Sequence, residues 1–171
     1  MALDAAVLAL LAKELKQGLT DAKVDKITRP TRDEAVLTMR TRTATRKLFV
    51  AARSGSARVG ITAESFENPE VPPSFCMLLR KHIQNARILS VTQPGLERVV
   101  HIRLEHLNEM GDLCRKILTV ELMGKYSNII FRDDEKIIDS IKHVSTAVSS
   151  VREVLPGRTY FIPGADDKLG L

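Results

Sequence analysis

The hydrophobic period of this chain changes from helical to strand-like near residue 18, and that change limits the folds open to it. Val7, Leu8, Leu11, Leu15 and Leu19 recur at spacings of one, three and four, as on one face of an amphipathic helix. The spacing predicts a helix over residues 4–17. Asp4 stands at its start, where a carboxylate can cap, and Gly18 stands where helices stop. The next hundred residues read as short β-like runs. Residues 23–28, 34–40, 47–52 and 58–62 are separated by polar or Gly/Ser turns, with 41–46 a basic hairpin loop. Strands resume at 88–93 and 98–105. Val100, Ile102 and Leu104 alternate with His101, Arg103 and Glu105, which predicts a strand with one wet face. Residues 116–123 and 128–132 form another pair, joined by a turn at 124–127. Asp133-Asp-Glu135 is a charged turn before a run at 136–142, and 144–150 is a Ser-rich loop. The tail holds Leu155-Pro-Gly157 and Ile162-Pro-Gly164, so it is expected to lie extended across the body.

Between the two strand groups stands Phe66-Glu-Asn-Pro-Glu-Val-Pro-Pro-Ser-Phe-Cys-Met-Leu-Leu-Arg-Lys-His82. Pro69, Pro72 and Pro73 hold the chain extended. Ser74 can cap a helix over residues 74–83, and Phe75, Met77, Leu78 and Leu79 give it an apolar surface. Arg80, Lys81 and His82 fall near its C-terminal end, where positive charge suits the dipole. The expected class is therefore α+β: a β-sandwich or half-open barrel with an N-terminal helix and a second helix between strand groups.

The 171 residues suit a single domain over 1–171, able to bury about 70% of its unfolded surface. No apolar run reaches the roughly 18 residues of a membrane span. The apolar stretch at 5–12 has no basic residue before it, and Lys13, Glu14 and Lys16 follow it, unlike a secretory signal. Cys76 and Cys114 are too few for a disulfide framework and read as buried small hydrophobes. A cytoplasmic protein is expected. Of the net charge of +5, residues 26–58 carry nine Lys/Arg against Asp33 and Glu34, +7 locally, which leaves −2 for the rest. Such a surface suits a polyanion such as nucleic acid; a solvated basic face would have the same composition.

Catalysis finds no support in the sequence. His82, His101, His106 and His143 lie on separate elements without ligand spacing, so no metal is expected. Gly18, Gly55, Gly60, Gly95 and Gly111 are solitary, and no phosphate loop forms. Ser127 and Ser140 lack a GxSxG elbow. Two turns carry more chemistry. In Gln93-Pro-Gly-Leu-Glu-Arg98 a tight bend delivers Glu97 and Arg98 to a strand end. Exposed together, they can meet a phosphate and a base edge or 2′-hydroxyl; an ordinary solvated charge pair is the alternative. In Glu121-Leu-Met-Gly-Lys-Tyr-Ser-Asn128, Lys125 beside Tyr126 suits an unstacked base and its phosphate, or else marks a packed hairpin tip. Five Phe, two Tyr and no Trp disfavour an aromatic stacking platform.

Several blocks in order carry a resemblance: Met1-Ala-Leu-Asp4, Asp25-Lys-Ile27, residues 66–82, Gly111-Asp112, Arg115-Lys116, residues 121–129, Ile138-Asp-Ser-Ile-Lys142, residues 152–157 and Tyr160. Across essentially its whole length the chain resembles the N-terminal domain of the NFACT family. These are the ribosome-associated quality-control factors, RqcH-like in bacteria and NEMF-like in animals, and some bacterial members carry a fibronectin-binding label. The resemblance implies a fold similar to the N-terminal domain of Fpg/MutM glycosylases. Those enzymes begin Pro-Glu and use the proline as nucleophile, whereas this chain begins Met1-Ala2-Leu3, so glycosylase chemistry is not expected. Family members add a helix-hairpin-helix segment, a coiled coil and a C-terminal RNA-binding domain, so the chain looks like part of a longer protein.

The implied role is to bind a large ribosomal subunit with stalled peptidyl-tRNA and to capture an aminoacyl-tRNA, in bacteria alanyl-tRNA. Template-free alanine tailing follows, with the ribosome making the bond. No cofactor and no enzymatic activity of the domain itself are implied. The family's tRNA-gripping residues map onto Asp4, Glu97 and Arg98, with Glu121 and Lys125 adjoining. Glu97 replaces the usual aspartate, and Lys125 the usual arginine of a Met-Gly-Arg turn, keeping charge without the bidentate fork. Arg40, Arg42, Arg46, Lys47, Arg80 and Lys81 are candidate phosphate contacts. A fibronectin-binding adhesin is the alternative function that the family's older label implies; a Fpg-like DNA-processing enzyme is a third.

Overall fold

Period-two patterning runs through most of the chain and produces one sheet. The computed structural model describes residues 5–53, 57–63, 74–95, 97–123, 126–144 and 153–161. Helix α1 (Ala5–Leu19) leads into β1 (Lys23–Thr28), β2 (Glu34–Arg40), β3 (Thr45–Ala51) and β4 (Arg58–Thr62). Helix α2 (Ser74–Ile83) then precedes β5 (Arg87–Thr92), β6 (Val99–Leu107), β7 (Leu113–Glu121), β8 (Asn128–Arg132) and β9 (Ile137–Ser140). Among the described residues these nine strands form one sheet in the order β4-β3-β2-β1-β5-β6-β7-β8-β9. All neighbours are antiparallel. The α+β class is as expected, but the sheet is a single open one, not a pair of facing hydrogen-bonded sheets. Its curl brings β3 near β8.

The two strand groups meet along a short ladder. Lys23 and Arg87 pair in register. Around them Asp21 N donates to Ile88 O (2.9 Å), Ile88 N to Ala22 O (2.9 Å), Val24 N to Ala86 O (2.8 Å) and Asn85 N to Val24 O (2.7 Å). Asp21 (φ 70°) and Asn85 (φ 69°) take the left-handed conformation beside this ladder, which Asn and Asp tolerate best after Gly. Gly18 is not the helix stop its position suggested. The helix runs on to Leu19, and a Cβ at Gly18 would stand 3.2 Å from Ile61 Cδ1. The glycine serves close packing of α1 on β4, and the chain turns at Asp21.

Both helices bury their apolar stripes in one core. Leu8, Leu15 and Leu19 of α1 join Phe75, Cys76, Leu79 and Ile83 of α2, strand residues Leu37, Met39 and Leu48, and Ile102, Leu104, Leu118 and Phe131. Cys76 is buried as expected, whereas Cys114 is only half-buried. Several strands run further into their hairpins than the polar sequence suggested. Arg40 pairs with Thr45 and Glu105 with Arg115, so cross-strand bonding carries polar residues into the ladder.

The tail segment 153–161 crosses the opposite side of the sheet as a strap. Val144 and Val154 exchange backbone hydrogen bonds, Ile137 N donates to Arg158 O (2.8 Å), and Tyr160 N donates to Glu135 O (2.8 Å). Val154 and Tyr160 close a second apolar cluster with Ile130, Ile137 and Val144. The strap also corrects the expected wet face of β6: His101 is 6% exposed and lies edge-on to the Tyr160 ring. Arg103, beyond it, remains exposed.

Candidate nucleic-acid interface

A turn fixes the Glu97–Arg98 corner. Glu97 N donates to Pro94 O (3.1 Å), closing a bend around Gly95, whose φ of 55° favours glycine. Gln93 Nε2 donates to Glu97 O (2.7 Å), and Leu122 N donates to Arg98 O (2.9 Å). The backbone is thereby tethered at both residues while their side chains stay half-buried. Among the described residues the Arg98 guanidinium forms no salt bridge.

The same end of the sheet carries the 122–127 turn. Val99 pairs with Glu121, and Glu121 with Asn128. Met123 N donates to Ser127 Oγ (2.8 Å), and Tyr126 is exposed. Register and the Leu122–Arg98 hydrogen bond therefore set the backbones of Arg98 and Glu121 close together at this end of the sheet. Asp4 and Lys125 lie outside the described residues.

Glu121 is 0% exposed, so it offers no surface to a ligand in this conformation. Its Oε2 accepts a hydrogen bond from the Tyr160 hydroxyl at 2.9 Å. The Arg132 guanidinium lies 4.2 Å from the centre of the Tyr160 ring, a cation–π geometry. Arg132 Nε donates to Thr119 Oγ1 (3.0 Å), Thr119 Oγ1 lies 2.9 Å from His101 Nδ1, and Arg132 Nη2 lies 3.4 Å from the same nitrogen. Arginine only donates, so this arrangement fits Nδ1 as an acceptor in a neutral imidazole. Burial first, and then the Arg132 charge, pull the His101 pKa down to about 4. Sequence reading missed Tyr160, Arg132, His101 and Thr119 as a group. A histidine facing a threonine across β6 and β7 was the available signal, and only the strap turns it into a buried site.

The basic region divides by task. Arg53 pairs with buried Glu34 (3.2 Å), Arg58 stacks on Phe49 (4.6 Å), and Arg29 donates to Arg32 O. Arg80 donates to Ile27 O (2.9 Å). These side chains hold the fold. Register places Lys23, Lys26, Arg40 and Lys47 on one outer face of β1–β3, with Arg40 tied loosely to Asp25 (3.5 Å). Arg42 and Arg46 are exposed at the hairpin end, as is Lys81 at the end of α2. Lys81 and His82 border a groove of about 360 Å³ with His106 and residues 107–110. Burial and Lys116 lower both imidazole pKa values. Among the described residues no three His, Cys, Asp or Glu side chains gather to hold a metal, and no helix is long and apolar enough to cross a membrane.

Comparison with known proteins agrees with this architecture. The family of NFACT N-terminal and middle domains matches residues 4–171. The chain is 40% identical over 161 residues to the Rqc2 homolog RqcH of Bacillus subtilis, covering 93% of this chain and 28% of that protein. It is 39% identical over 165 residues to the Streptococcus suis protein of the same name, covering 95% and 30%. The N-terminal domain of the fibronectin-binding protein PavA from Streptococcus pneumoniae superposes with a TM-score of 0.91 at 36% identity, covering 98% of this chain and 67% of that one. The fibrinogen-binding protein from Staphylococcus aureus gives 0.84 at 29% identity, covering 95% and 57%. The chain thus spans about 30% of the length of its RqcH relatives. With the family matched from residue 4 to its end, this chain belongs to the NFACT family.

Proposed function

We propose that this chain is the tRNA- and large-subunit-binding part of a ribosome-associated quality-control factor of the RqcH type. The observation that carries the reading is the Glu97–Arg98 corner, a backbone-tethered acid–base pair whose guanidinium has no salt-bridge partner among the described residues. A guanidinium on a tethered backbone suits a phosphate, and the neighbouring carboxylate suits a 2′-hydroxyl or base edge. Asp4 and Lys125 complete the grip. Lys23, Lys26, Arg40 and Lys47 supply sequence-independent attraction for tRNA or rRNA phosphates, helped by Arg42, Arg46 and Lys81. The domain acts by binding in the cytoplasm, and the ribosome forms the bonds of the alanine tail. Co-sedimentation with purified large subunits carrying peptidyl-tRNA tests the role. The chain should pellet with them, and Arg98→Ala should release it; a chain that stays in the supernatant with wild-type Arg98 contradicts the proposal.

The names of the structural relatives favour a second reading, fibronectin binding. Saturable binding to immobilised fibronectin, unaffected by competing tRNA, would favour that reading.

A further inference from the structure

We infer that Glu121 is a positioning residue: through the Tyr160 hydroxyl it clamps the 153–161 strap, and the docked strap in turn holds Arg98 in its RNA-gripping place. The inference rests on the RNA reading of the Glu97–Arg98 corner and adds a device beneath it.

The geometry links the two places in three steps. Tyr160 is seated from three sides, its hydroxyl on Glu121 at 2.9 Å, its face on Arg132 and its ring against the edge of His101. Glu121 is the last residue of β7 and pairs with Val99, the first of β6. The next peptide group, Leu122 N, donates to Arg98 O. A tug on the Glu121 backbone therefore reaches the Arg98 carbonyl through one residue. The strap itself is held mainly by backbone bonds to Glu135 and Ile137 and by Val144–Val154, so Tyr160 provides its link to the end of the sheet where the corner stands.

Linkage makes the effect reciprocal. If strap docking favours the gripping position of Arg98, then RNA bound at the corner must favour the docked strap by the same factor. Backbone amides of the strap then report on RNA that does not touch them.

The test combines hydrogen exchange with filter binding, using bulk tRNA as the probe. Tyr160→Phe deletes only the hydroxyl, whereas Glu121→Ala deletes its partner. Each should speed exchange in residues 153–161 and weaken tRNA binding by about fivefold or more. The double variant should bind no worse than the weaker single. The salt dependence of binding should keep its wild-type slope, since Arg98 is intact and the bound form still sets it on its phosphate. Wild-type strap amides should slow when tRNA is added. Weaker tRNA binding in Glu121→Ala with unchanged strap exchange overturns the inference and makes Glu121 a direct contact. A looser strap in Tyr160→Phe with unchanged tRNA affinity overturns the coupling. Absence of tRNA binding by the wild-type chain overturns the RNA reading, while unchanged exchange in Tyr160→Phe overturns the clamp independently.

Discussion

Arg132 is 6% exposed yet meets a hydroxyl, a backbone carbonyl and an aromatic face as its closest partners. Burial lowers its pKa, but an arginine keeps its proton regardless, so a fixed positive charge stands beside His101. That charge and the burial hold the imidazole neutral, at a pKa of about 4 against 6.5 for the ordinary group. Between those values the unfolded chain takes up a proton that the folded chain refuses. The stabilisation is therefore complete above pH 6.5 and is lost as pH falls towards 4, about 3 kcal/mol over the window. Urea unfolding at pH 7 and pH 4.5 should show this loss, and His101→Gln should flatten it. Replacing Arg132 with Met should raise the His101 pKa part of the way towards 6.5, as read by NMR titration, because burial remains the larger cause. At Glu34, 5% exposed, Arg53→Ala leaves a buried carboxylate without its ion-pair partner and should cost about 2 kcal/mol.

Period two and period 3.6 mark most of the elements in the sequence. β1, β2, β4, α2 and β8 run over the spans their patterns predicted, because turn residues bound them tightly. Hairpin ends are not legible where register, a non-local property, extends pairing into polar residues such as Thr45 and Arg115. The ladder between β1 and β5 was illegible for the same reason, since residues 21–24 meet 85–88 only after α2 has returned the chain. Asn85 has a left-handed backbone there. Asn85→Val should cost about 1–2 kcal/mol, and Asn85→Gly should be nearly neutral; chemical denaturation midpoints distinguish them. The Glu97–Arg98 turn was legible because Pro-Gly fixes it locally. The burial of His101 and Glu121 was not, since it depends on a strap thirty-nine residues beyond Glu121.

At the scale of the molecule, one core serves both strand groups, with Leu37 and Leu48 in the same cluster as Leu118 and Phe131. Unfolding should therefore be a single transition, with circular dichroism and side-chain NMR midpoints coinciding. Phe131→Ala, at a fully buried position, should lower stability by about 3–5 kcal/mol without dividing the transition. The concentration of charge in residues 26–58 suits a polyanion partner, but sequence alone could not separate Arg53 and Arg58, spent on the fold, from Lys26, Arg40 and Lys47 on one outer face. The proposed grip on RNA requires that face and the corner to act together. The most direct measurement is tRNA affinity of the wild-type chain and of Arg98→Ala across a series of salt concentrations. Binding by the wild type should weaken steeply with salt, and Arg98→Ala should lose about tenfold in affinity with a slope shallower by about one. Equal affinities and equal slopes for the two proteins would contradict the proposed grip.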